Sequence, residues 1–112
     1  MTILAMCARR TTKDRLRAAL LAICGGMGTV LGHEERAWAS ITFAGTRHEL
    51  VLRFEGLEQV EAGELLIAQL PEHDFRIPGQ LVADAIVTKV EHRFGPSETL
   101  TVTAALLLLE ES

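Results

Sequence analysis

Two long stretches near the end of this 112-residue chain, Leu81–Arg93 and Glu98–Glu110, constrain its fold more than any other feature. Both alternate in hydropathy, and Gly95-Pro96-Ser97 joins them with turn chemistry. Alternation with a period of two puts successive side chains on opposite faces of a strand, so the pair reads as an antiparallel hairpin. Pairing Phe94 with Glu98 sets Val90 opposite Val102 and Ile86 opposite Leu106 on an apolar face. The same register sets Lys89, Glu91 and Arg93 beside Thr99, Thr101 and Thr103 on a wet one. A sheet with one apolar face needs a cover, and helices are the usual one.

Two helices are legible. Thr11-Thr12-Lys13-Asp14 has the form of a capping box, in which a hydroxyl and an acid three residues on satisfy exposed backbone donors. The residues after it place Leu16, Leu20, Ile23 and Cys24 on one face, and Gly25-Gly26 marks the stop. A second helix spans Leu57–Leu70, with Val60, Gly63, Ile67 and Leu70 inward and Glu58, Glu61 and Glu64 on a solvated face; Pro71 ends it. Gly63 weakens this helix but allows it to approach a sheet closely. A rival reading breaks the helix at Gly63 and makes Glu64–Leu70 a strand.

Between the helices, Gly28–Arg36 reads as a loop. Trp38–Ala44 and His48–Phe54 alternate as strands around a tight turn at Gly45-Thr46-Arg47, with Ala39, Ile41 and Phe43 sharing one face and Leu50, Leu52 and Phe54 another. Ile77-Pro78-Gly79-Gln80 has the composition of a type II turn. Thr2–Ala8 reads as a short first strand. The order (β)αββαββ is that of a single α+β domain over residues 1–112. It has four to five antiparallel strands with both helices on one face, ferredoxin-like or a related two-layer sandwich.

Composition narrows the function classes. Cys7 and Cys24 have no zinc spacing and are too few for a disulfide framework, so both read as free thiols. The apolar runs Ala18–Cys24 and Ala104–Leu109 are too short to cross a bilayer, and no targeting signal is apparent. The expectation is a cytoplasmic protein with no membrane association, no cofactor and no metal.

The net charge of −4 is uneven, because Arg9, Arg10, Lys13, Arg15 and Arg17 concentrate positive charge in the first 17 residues. That cluster is a candidate phosphate or nucleic-acid site. The acidic remainder and the lack of sheet aromatics make nucleic acid a poor match.

Leu106-Leu107-Leu108-Leu109 breaks the alternation, so both faces of that strand are expected to be covered. Leu107 and Leu109 are therefore candidate interface residues of a homodimer, the alternative being cover by the chain's own N-terminus. Each of the four histidines neighbours an acid in sequence. Asp84, between Val82 and Ile86, falls on the apolar face in a strict alternation, unless a bulge turns it outward. Asp84, His48 and His92 are thus the nominal catalytic candidates of a small enzyme. The leading expectation is a non-catalytic, homodimeric module. It would bind a small ligand or a protein partner near the exposed sheet face and the loop Gly25–Glu35. Phosphate or nucleic-acid binding through the first helix is a third reading.

Overall fold

A computed structural model describes residues 11–111. Helix α1 (Thr12–Ile23) is followed by strands β1 (Thr29–Ala39) and β2 (Ala44–Glu55), helix α2 (Leu57–Gln69), a single 3-10 turn (Leu70–Glu72), and strands β3 (Gln80–Arg93) and β4 (Thr99–Glu110). The four strands form one antiparallel sheet in the order β1-β2-β4-β3. The architecture is a small α+β two-layer fold. The expected first strand, Thr2–Ala8, lies outside the described residues. A split βαβ sheet would flank β2 with that first strand, whereas here β2 lies between β1 and β4.

The capping box forms as read, with Asp14 N–H donating to Thr11 Oγ1 (3.1 Å) and Thr11 N–H donating to the Asp14 carboxylate (3.3 Å). Gly25 and Gly26 take the left-handed backbone that ends the helix. One core cluster joins Leu16, Leu20 and Ile23 of α1 and Val60 and Leu66 of α2 to Leu50, Leu52 and Phe54 of β2 and Leu100 to Leu108 on the even positions of β4. Leu66 takes the buried place expected of Ile67, which is only partly covered. Helix α2 does approach the sheet closely at Gly63: a Cβ there would lie 2.6 Å from the Phe54 ring and 2.7 Å from Leu100.

The first hairpin differs from the sequence reading. Residues 29–36, expected as loop, belong to edge strand β1, and the turn lies at Ser40–Phe43 instead of Gly45-Thr46-Arg47. Ser40 N–H donates to the Phe43 carbonyl (2.7 Å), and the Ser40 hydroxyl accepts from Phe43 N–H (3.1 Å). Ile41 and Phe43 are therefore exposed turn residues, not one face of a strand. Gly45 sits inside β2, without a left-handed φ, because a Cβ there would lie 2.1 Å from the Leu108 carbonyl oxygen. Its role is close backbone approach.

In the second hairpin Val90 faces Val102, and Lys89, Glu91 and Arg93 face Thr103, Thr101 and Thr99, as the alternation required. Ile86 pairs with Ala105 instead of Leu106, because a bulge between Val87 and Lys89 inserts one residue. The same bulge puts Asp84 on the open face beside Ile86, and a second, between Val82 and Asp84, returns Val82 to the helix-covered face.

Candidate functional site: a histidine pair and an open sheet face

The strand register brings together two residues that no local pattern connects. Glu35 pairs with His48 and His33 pairs with Leu50, so His33 and His48 are diagonal neighbours on the helix-covered face. His33 Nε2 lies 2.9 Å from His48 Nδ1. From α1, Arg17 Nε donates to His33 Nδ1 at 3.0 Å.

Arg17 fixes the protons of this chain of bonds. An arginine Nε can only donate, so His33 Nδ1 must accept and His33 Nε2 carries the hydrogen. His33 then donates to His48 Nδ1, which leaves the His48 proton on Nε2. That atom is buried with no partner among the described residues, in a side chain only 1% exposed. An orphaned buried donor of this kind costs roughly 1–3 kcal/mol.

Both rings are held neutral. Burial, the neighbouring His48, Arg17 and Lys13 push His33 down to about 4, against a small opposing effect of Glu35. Burial lowers His48, opposed by Glu35, whose carboxylate is 3.9 Å from Nδ1, and reinforced by Lys13. The same bonding disfavours a metal ion here, since a protonated His33 Nε2 has no lone pair to offer. Among the described residues no group of three His, Cys, Asp or Glu side chains converges on one point.

The catalytic candidates do not converge. Asp84 is exposed on the opposite face of the sheet from His48. His92 faces Leu100, six residues along β4 from Leu106, the partner of His48, which is roughly 20 Å at strand spacing. His92 bonds Glu98 at 2.7 Å and stacks on Phe94 at 4.0 Å, closing the end of the second hairpin. Of the basic cluster, Arg9 and Arg10 lie outside the described residues. Lys13, Arg15 and Arg17 are partly covered on α1, and Arg17 is engaged by His33. Cys24 is a buried free thiol, donating to the Leu20 carbonyl (3.4 Å) and pushed up to about 11 by burial.

Among the described residues, no helix lies on the other face of the sheet. Its side chains form rows across the strands, each row read from the register. The first runs Trp38, Gly45, Leu109 and Leu81; the second Arg36, Arg47, Leu107 and Asp84; the third Glu34, Glu49, Ala105 and Ile86. Further along come threonines and alternating charges, with a depression lined by Arg53, Glu91, Arg93, Thr99 and Thr101. Leu107 and Leu109 are 9% and 8% exposed within the single chain, so most of their burial precedes any partner, and the N-terminal segment expected as their alternative cover lies outside the described residues. The apolar surface left open at this end belongs to Leu81, Ile86 and Phe43. Leu81, Leu109, Phe43 and the chain around them line a cavity of about 500 Å³.

Comparison with known proteins adds one fold relationship. The chain resembles, in fold, a protein in the virion of the native gene transfer agent particle. The two align with a TM-score of 0.55 at 14% identity, over 90% of this chain and 92% of the other. No family model matches, and no curated protein matches. No helix among the described residues is long and apolar enough to cross a membrane.

Proposed function

We propose that this chain is a non-catalytic protein-binding module that serves as a structural subunit of a particle-type assembly, with the open sheet face as its binding face. The observation that carries this reading is that face itself: a four-stranded surface that no helix among the described residues covers, with exposed Leu81, Ile86 and Phe43 grouped toward one end. Exposed apolar groups clustered on one face mark an interaction surface. Likeness in fold to a virion protein, over nearly the full length of both chains, supports the choice of a protein partner over a small ligand. Self-association, expected from the leucine run, belongs to the same reading, as does assembly in the cytoplasm. The enzyme alternative loses support because Asp84, His48 and His92 are dispersed over two faces and both ends of the sheet.

The test is gradient sedimentation of extracts from cells that express the protein naturally. The chain is expected in a fast-sedimenting particle fraction, and Leu81→Asp with Ile86→Asp should release it. A chain found only at the position of a free small protein would refute the reading.

A further inference from the structure

We infer that the open face pairs with the same face of a second copy of this chain, and that two rows of opposite charge set the register. This deepens the functional reading above and rests on it. Arg36 lies directly across from Arg47, and Glu34 directly across from Glu49, in adjacent rows of β1 and β2. All four side chains are exposed, and none forms an ion pair with another described residue. Together they line a depression of about 230 Å³ with Glu35, His48 and Ala105.

Like charges facing each other across a strand pair destabilise it by several tenths of a kcal/mol. Exchanging Arg47 with Glu49 would have produced two favourable cross-strand pairs in the isolated chain. The observed arrangement serves the monomer poorly and suits a self-complementary contact. A two-fold axis in the plane between two such faces, perpendicular to the strands, lays each row on the adjacent row of the other copy. Arg36 and Arg47 then lie over the partner's Glu34 and the partner's Glu49, Leu107 over the partner's Ala105, and Asp84 over the partner's Ile86, so the two rows of charge on β1 and β2 carry the complementarity. A two-fold contact requires one patch to complement itself in this way. In this register the four rows from Leu109 to Thr103 overlap, which at ~4.8 Å between strands and ~3.4 Å per residue is on the order of 500 Å² per partner, the size of a weak, reversible contact.

Charge reversal separates this pairing from its alternatives. Arg36→Glu with Arg47→Glu makes the four-residue patch wholly acidic, and Glu34→Arg with Glu49→Arg makes it wholly basic. By light scattering, the unmodified chain is expected to reach about twice its 12.3 kDa mass at tens of micromolar. Each double variant alone should weaken the dimer at least tenfold, and an equimolar mixture of the two should regain the doubled mass. Raising salt should weaken the unmodified dimer and the mixed pair alike. Circular dichroism verifies that each variant is folded, and the single substitution Arg36→Glu provides a milder version of the same test.

An unmodified chain that stays monomeric, variants that pair as well as it does, or a mixture that regains nothing would each overturn the inference. A monomeric chain that still sediments with particles would remove only self-pairing. A dimer that never enters the particle fraction would remove the assembly reading and leave the pairing standing.

Discussion

The two faces of strand β4 show how one backbone is used in two ways. Its even positions, Leu100, Val102, Ala104, Leu106 and Leu108, are buried beneath the helices, and all belong to the core. Its odd positions run from Thr99, Thr101 and Thr103 through Ala105 to Leu107 and Leu109, a gradient from wet to apolar on a face that no helix among the described residues covers. The covered face is closed by packing that tolerates little change. The open face carries charges set against their own kind and apolar side chains left half exposed. Stability resides on the first, and the capacity to associate on the second.

Leu106→Ala on the covered face should show the largest effect, a loss of about 2–5 kcal/mol in denaturant unfolding, since Leu106 is fully buried. A cost below about 1 kcal/mol would mean the two faces do not differ as described. Gly63→Ala comes next. Although alanine favours the helix by about 1 kcal/mol, its methyl would collide with Phe54 and Leu100. The net result should be a loss of about 1–3 kcal/mol, and a stabilised protein would show that α2 does not sit so close to the sheet.

Acid should cost less. Both histidines have lowered affinity for protons in the folded state, so the unfolded chain binds more protons below its ordinary histidine value of 6.5. The stability that the neutral pair permits is therefore complete above pH 6.5 and declines toward about 4, the folded value of His33. Thermal melts between pH 7 and 5 should show this slope, and His33→Gln with His48→Leu should flatten it. An unchanged slope in that double variant would assign the acid response to other groups. Smallest of all, Ile86→Asp on the open face should alter stability by no more than about 0.5 kcal/mol, while reducing association in the same samples.

What was legible in the sequence follows from how local each signal is. The Thr11–Asp14 cap, the α1 face and the turn end of the β3–β4 hairpin depend on contacts within a few residues or across one turn, and all three match the sequence, whereas the hairpin register slips by one residue beyond Lys89. Strand β1 was missed because its edge position permits Gly32, Glu34, Glu35 and Arg36, which carry no strand alternation. Gly45 was misread as turn chemistry because a glycine needed for close approach to a neighbouring strand looks the same in sequence. The His33–His48 contact depends on the register of that hairpin, so it became invisible once the turn was misplaced. A turn centred on Ile41-Thr42 would have exposed it, since that register pairs Glu35 with His48 and sets the two histidines diagonally. The bulge between Val87 and Lys89 moves Ile86 and Asp84 to the open face, and strict alternation has no means of signalling it.

The most direct measurement is side-chain oxidation footprinting of the unmodified protein at low and high concentration. Leu81, Ile86 and Phe43 should become protected as concentration rises, while Leu57 and Leu65 on α2, also exposed in the single chain, should react at the same rate throughout. Protection of the helix residues, or no concentration dependence at Leu81 and Ile86, would contradict the assignment of binding to the open face.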